Sequence, residues 1–202
     1  WELDIVASGS QKGYMIPPGL SFISMSEKAW EANELANLPK FYLDLKSYKK
    51  SLLNNSNPFT PSVNLIFALD EALNMMKEEG LENIFQKHER HKLAISEAAK
   101  KLNLKLFADE NSLSPSITAI EAQNFDAESF RKTVQNKYGI QLAGGQDHLK
   151  GKIFRVGHLG YINDLDIISA ITAIGLTLYE KNIVNQNDIG KALIEAKKHL
   201  ES

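Results

Sequence analysis

The sequence predicts an α/β protein in two parts: residues 1–80, closed by a linking helix, and a small α/β domain over 81–202. Three observations carry this. Short apolar runs bounded by Gly, Pro, Ser and Asn alternate with segments of helical period. One of those segments, with Val63, Ile66, Leu69, Leu73 and Met76 at helical spacing and a stop at Gly80, reads as a helix linking two domains. Beyond it strands and helices mix again, as in a second α/β unit with its own core.

The elements follow in order. Residues 1–24 read as two strands around a turn. Leu3, Ile5, Val6 and Ala7 form a brief buried run of the parallel-sheet kind, and Leu20–Ser24 forms the second strand. Ser26 caps a short helix from about Glu27. Residues 38–60 read as an irregular loop, aromatic at Phe41, Tyr42, Tyr48 and Phe59 and polar at Asn54–Asn57; a loop of that length suggests function. Thr60-Pro61 reads as an N-cap and first helical residue for the linking helix. A second helix runs through Leu81, Ile84, Phe85, His88, Ile95, Ala98, Ala99 and Leu102. Strands are expected at 104–107 and 116–121, a helix at 126–138, strands near 140–142 and 152–157, and a strongly apolar helix from Asn163 or Asp164 to Glu180. The Asn/Gln-rich run 182–188 reads as a loop, and an amphipathic helix closes the chain over 187–200.

Composition excludes several classes. The 202 residues are 43% hydrophobic and 24% charged, which suits a globular protein with a real core. A net charge of -2 implies no general attraction to nucleic acid. With no Cys, disulfides are excluded and export to an oxidising compartment is unsupported. No apolar run is long enough to span a bilayer and no signal peptide is visible, so the cytoplasm is the expected compartment. The chain starts at Trp and opens directly into a strand, so it reads as the C-terminal part of a longer protein.

Four places could carry chemistry. Lys12 follows a strand end and Ser8-Gly9-Ser10, where open α/β sheets bind ligands; a desolvated lysine amine forms Schiff bases with carbonyl compounds. Its plain alternative is a solvated loop charge. Arg155 lies in an apolar strand with Ile153 on its own face and Phe154 and Val156 on the other; it is one of only three arginines. Its planar fork suits a carboxylate, and the alternatives are a structural salt bridge or an edge-strand charge. Asn57-Pro58-Phe59-Thr60-Pro61 precedes a helix, where free N–H groups and a hydroxyl could hold an anion, or Thr60 could be an ordinary cap. His88, Glu89, Arg90 and His91 are helical neighbours without a second cluster to complete a metal site. His88 reads as partly buried and the others as a solvated face, while His158 at most lines a site.

Ser-Gly-Ser-Gln-Lys-Gly followed by Pro-Pro-Gly resembles the cofactor-lysine segment of the class V aminotransferases, in particular the serine–pyruvate / alanine–glyoxylate subgroup. The resemblance implies the fold of type I pyridoxal 5'-phosphate (PLP) enzymes, with residues 1–80 ending the large domain and 81–202 forming the small C-terminal α/β domain. It implies that Lys12 carries PLP as a Schiff base and that Gln11 lies by the phosphate. Arg155-Val156-Gly157-His158-Leu159-Gly160 is similar to the segment whose arginine binds the substrate α-carboxylate. Asn57–Pro61 is similar to a phosphate-contacting loop that reaches into the partner subunit's site, with Thr60 as a phosphate ligand and Asn57 where some members carry a tyrosine. Gly144-Gly145 is similar to the turn before the arginine strand. The motifs match the second half of the family's chain. The aspartate for the pyridine nitrogen would precede Trp1, and Asp4, too close to Lys12, matches a different acid.

The activity implied is transamination between a small amino acid (alanine or serine) and a keto acid such as glyoxylate or pyruvate, in a homodimer with shared sites. Lys12 would move the Cα proton as general base. The rivals are another class V enzyme, a PLP lyase, with the lack of Cys arguing against the cysteine desulfurases, and a non-catalytic truncated chain.

Overall fold

The computed structural model describes residues 1–201, so Ser202 lies outside the described residues. The chain divides into two compact units, Trp1–Glu78 and Glu79–Ser202.

The first unit opens with two antiparallel strands, β1 (Ile5–Gly9) and β2 (Ser21–Met25), paired with Ala7 opposite Ile23. The expected parallel-type burial of β1 is not observed: its partner is antiparallel, and Ile5 and Val6 remain 56% and 46% exposed. With β2 as its one hydrogen-bonded neighbour, β1 is an edge strand of a two-stranded sheet. Helix α1 (Glu27–Leu35) starts where Ser26 accepts the Ala29 N–H, as expected.

The segment 38–60 is not wholly irregular. It contains helix α2 (Leu45–Leu52), capped by the Asp44 carboxylate on the Lys46 N–H at 3.2 Å. Lys49 lies 4.3 Å over the Trp30 ring and Lys46 pairs with Glu34 at 2.6 Å, which ties α2 to α1. The linking helix α3 (Val63–Glu79) begins later than expected. The Ser62 carbonyl, not that of Thr60, accepts the first helical N–H groups, from Leu65 and Ile66. Gly80, at φ +84, ends the helix in a conformation that glycine adopts without strain.

The second unit holds a real core. Helices α4 (Leu81–Lys101), α5 (Ala127–Tyr138), α6 (Asp164–Glu180) and α7 (Gln186–Leu200) pack with a four-stranded antiparallel sheet. Its strands are β3 (Lys105–Leu106), β4 (Ile117–Glu121), β5 (Ala143–Gly144) and β6 (Ile153–Gly157), in the order β3-β4-β6-β5. Two corrections concern boundaries. The strand expected near 140–142 forms at Ala143–Gly144, because only there does the chain reach the register of β6. The loop expected over 182–188 ends early, because Asn185 and Asp188 form a reciprocal capping box that starts α7 at Gln186. A matching box of Asn163 and Asp166 starts α6.

Cross-strand pairing assigns the faces of the sheet. Thr118 opposite Val156, and Ile120 opposite Phe154, share one face. Helix α5 packs on this face through Phe130, whose ring lies 5.0 Å from that of Phe154. Both rings are fully buried, while Phe85 on α4 is largely exposed. Truncating Phe154 to Ala should therefore cost about 3–5 kcal/mol, against about 0.5 kcal/mol for Phe85→Ala. Urea denaturation of the two variants in the intact protein measures the difference; equal losses would contradict the assigned core.

Candidate functional site

Lys12 is held by a turn organised around Ser10, which is fully buried. The Ser10 hydroxyl donates to the Pro17 carbonyl at 2.8 Å and accepts the Leu20 N–H at 3.1 Å. Its backbone N–H donates to Leu20 O at 3.0 Å and its carbonyl accepts from Ile16 N at 3.3 Å. Every polar group of Ser10 is thus spent on closing the loop between β1 and β2. The Lys12 side chain projects outward from this closed turn. Its Nζ has no hydrogen bond or ion pair among the described residues, and the same holds for the amide of Gln11, which curls back towards Gly9.

Asn57 and Thr60 share one open recess of about 700 Å³ lined by residues 55–61. The segment is anchored by Phe59, whose ring packs on Phe41 at 5.5 Å, Tyr42 at 4.8 Å and Tyr48 at 6.2 Å. Asn57 and Thr60 stand exposed beside that anchor, and their side chains have no hydrogen-bond partner among the described residues. Gln11 and Lys12 share one turn, Asn57 and Thr60 share the recess, and no hydrogen bond joins the two pairs. Arg155 belongs to the second unit.

Strand β6 is an inner strand, flanked by β4 and β5, so Arg155 is no edge-strand charge. It lies on the sheet face opposite Phe154, half-buried. No carboxylate pairs with it among the described residues. Its Nε donates to the Gly144 carbonyl at 2.8 Å, which leaves the two terminal Nη groups without an internal partner. The other arginines differ. Arg131 pairs with Glu128 at 2.8 Å, and Arg90 has a buried Nε without a partner among the described residues.

The residues present fit an aldehyde-bearing phosphate cofactor at two of its ends. A Schiff base needs a primary amine not engaged in an ion pair, and Lys12 offers one. A phosphate needs unspent N–H and O–H donors, and the side chains of Gln11, Asn57 and Thr60 have them. Asp4 is not available as a partner for a ring nitrogen. Its carboxylate accepts from Ser26 Oγ at 2.7 Å and from Lys28 Nζ at 2.9 Å, and the Lys28 and Ser26 bonds hold it below the usual carboxylate range.

The histidines correct one expectation. His91 does not lie on a solvated face: it is 1% exposed and its Nε2 meets Asp164 Oδ1 at 2.9 Å, joining α4 to the start of α6. Its neighbours on α4 gave no sign of this, because the burying surface comes from distant sequence. His88 Nδ1 lies 2.7 Å from the Ile84 carbonyl while Nε2 accepts the Gly160 N–H at 3.1 Å, so the ring bridges α4 to the turn after β6. His158 is fully buried, with Nε2 against Thr118 Oγ1 at 2.9 Å. Its Nδ1 has no well-formed bond; the carbonyls of Pro115 and of His158 itself act on the ring without meeting hydrogen-bond geometry. Burial, reinforced by His91, pushes the His158 pKa down to about 4.

A family model described as aminotransferase class-V matches residues 1–158. The small subunit of a soluble hydrogenase from a Synechococcus species is 55% identical over 185 residues, covering 92% of this chain and 48% of that protein. The L-aspartate–glyoxylate aminotransferase of Paracoccus denitrificans is 34% identical over 201 residues, covering 98% and 50%. The crystal structure of the ureidoglycine–glyoxylate aminotransferase of Bacillus subtilis matches with a TM-score of 0.90 at 28% identity, over 100% of this chain and 53% of that one. The chain spans about half the length of the curated relatives it matches. No helix among the described residues is long and apolar enough to cross a membrane.

The buried neutral state of His158 makes a testable demand. The unfolded imidazole takes up a proton near pH 6.5 and the folded one only near 4, so this contribution to stability is full above pH 6.5 and is lost as pH falls from 6.5 to 4. The full loss is on the order of 3 kcal/mol. His158→Gln should flatten the pH slope of the unfolding free energy in that window by about one proton; an unchanged slope would show that His158 does not carry it.

Proposed function

The chain belongs to the class V aminotransferases, enzymes of PLP-dependent fold type I, and on that premise we propose that it contributes the lysine, phosphate and carboxylate contacts of a transaminase acting on a small amino acid and a keto acid. The single observation that carries this reading is the Lys12 amine. It has no ion-pair partner among the described residues, and it stands on a turn whose internal polar groups are used up by Ser10.

PLP supplies the electron sink that makes a Cα–H bond of a bound amino acid acidic. The chain's own residues do the rest. Lys12 would hold the cofactor through its amine and, when free, would act as the base that moves the substrate's Cα proton. The amide of Gln11, the hydroxyl of Thr60 and the amide of Asn57 bind phosphate oxygens. Arg155 grips the carboxylate of amino acid and keto acid alike through its Nη fork. One guanidinium with a free fork favours alanine or serine as donor, and the glyoxylate named for two of the relatives supports glyoxylate as acceptor. The hydrogenase name of the Synechococcus relative stays with that protein, because an unpaired lysine amine and a free guanidinium fork are carbonyl- and carboxylate-binding groups.

A cytoplasmic homodimer with shared active sites completes the reading. Its support is the apolar surface of the first unit, where Ile5, Val6, Ile23, Phe41 and Phe67 are exposed.

Three experiments on the full-length protein test these assignments. Borohydride reduction should fix the cofactor on Lys12, and peptide mapping to any other lysine would overturn the proposal. Arg155→Lys should weaken carboxylate binding by about 1.5–3 kcal/mol with the cofactor spectrum unchanged, since the charge stays and the fork goes; an unaltered KM for amino acid would remove Arg155 from this role. Mixed Lys12→Ala and Thr60→Ala chains should regain part of their activity, because one site of each heterodimer carries neither defect. Verified subunit exchange without recovery would rule out the cross-subunit placement of Thr60.

A further inference from the structure

Strand β5 is only two residues long, yet the three-residue stretch Leu142–Gly144 that contains it receives a guanidinium from each of two different elements. Arg155 on β6 donates through Nε to the Gly144 carbonyl at 2.8 Å. Arg131 on α5 donates through Nε to the Leu142 carbonyl at 2.7 Å and through Nη1 to Glu128 Oε2 at 2.8 Å. The two contacted carbonyls are two residues apart. Gly144 pairs with Phe154, so any side chain at 144 would stand on the face that α5 covers. A Cβ there would lie 2.6 Å from Arg131 Nη1 and 2.6 Å from Glu128 Oε1, which no real contact allows. The Glu128–Arg131 pair therefore occupies the space of the missing side chain and sits directly over Gly144.

From this we infer that Glu128 and Arg131 are positioning residues for Arg155: through Leu142 and Gly144 they fix β5, and the Gly144 carbonyl fixes the plane of the Arg155 fork. With Nε taken by that carbonyl, Arg155 receives a carboxylate end-on through its two Nη groups. An arginine free at Nε could instead receive it from the side, through Nε and one Nη, with the substrate turned accordingly. A guanidinium without the Gly144 bond would keep its charge but lose its direction, and bidentate binding depends on direction. Arg131 itself cannot serve as a second clamp, since its Nε and Nη1 are already committed to Leu142 and Glu128. The inference rests on the proposed role of Arg155 in holding the substrate carboxylate.

The test uses the full-length protein with its cofactor bound. Glycolate, an unreactive carboxylate of glyoxylate's size, is titrated calorimetrically beside steady-state kinetics. Arg131→Met removes both of its bonds; Gly144→Ala displaces the pair while leaving it chemically intact. Each should weaken glycolate and raise KM for amino acid and keto acid by roughly three- to tenfold, the worth of one aligned hydrogen bond. The kcat and the cofactor absorbance should stay within about twofold of normal under the same cause. Arg131→Lys, which keeps the pairing with Glu128, should recover part of the loss. In an Arg155→Lys background Arg131→Met should add nothing, because the path through Arg155 is already broken.

Full additivity of the two substitutions, or a fall in thermal stability with unchanged glycolate affinity in both Arg131→Met and Gly144→Ala, would reduce the pair to a structural brace and overturn the inference alone. Unchanged glycolate affinity in Arg155→Lys itself would overturn the carboxylate role of Arg155 and this inference with it.

Discussion

Phe154 and Arg155 are consecutive residues on an inner strand, and the pleat sends them to opposite faces. That alternation is the constraint on which the second unit depends. Phe154 locks β6 into the core through Phe130, at 5.0 Å, and Phe125, at 6.3 Å. A side chain buried among rings cannot shift without opening a cavity, so the strand is fixed in depth and register. Arg155 inherits this fixity one residue later, on the face that α5 leaves open. Placing a guanidinium there is expensive unless its donors find acceptors; the Gly144 carbonyl meets one, and the remaining two groups have no partner among the described residues.

The first unit solves the same problem by other means. Among its described residues only Ser10, Ile16, Ala29 and Ala72 are buried, too little for a core of its own. The turn that bears Lys12 is therefore fixed by hydrogen bonds rather than by packing. Ser10, a small residue, can enter the hairpin and satisfy Pro17, Leu20 and Ile16 together. The recess at residues 55–61 is fixed by a third device, the ring of Phe59 set among three other rings. Three local devices thus place the residues proposed to act, while the exposed apolar strands of the unit remain available for burial elsewhere.

What the sequence disclosed depended on how local the cause was. The caps at Ser26, Asp126, Asn163 and Asn185 work within four residues, and the helices they start were readable to within a residue or two. The placement of Lys12 just past a strand end and of Arg155 within a strand was legible, because a strand end and an alternating strand are local patterns too. Helix α2 was hidden by its aromatic and Asn-rich flanks, although Asp44 carried the cap signal. The start of α3 was misjudged because Ser62, next to Thr60-Pro61, supplies the first acceptor. Burial of His91 depends on Asp164, seventy-three positions away, and the clasp of Arg131 on Leu142 depends on how α5 lies against β5. The one local hint of the latter was the Glu128/Arg131 spacing of three on a helix.

The connection from β6 to α6 shows what such tertiary placement achieves. Three imidazoles, two on α4 and one in the connection itself, hold it: His88 accepts the Gly160 N–H, His158 meets Thr118, and His91 meets Asp164 at the first turn of α6. Burial drives His158 and His91 towards the neutral form. The segment that begins with Arg155 is therefore followed by side chains that bind through lone pairs and N–H dipoles rather than through charge. Arg155 itself keeps its Nε on the Gly144 carbonyl at 2.8 Å. Had lysines held the same connection, their solvation and reach would have blurred both the charge and its direction. His91 and His158, both buried, meet Asp164 and Thr118, while the half-buried His88 bridges the Ile84 carbonyl and the Gly160 N–H, so the connection behind the strand is fixed by imidazoles rather than by mobile cations.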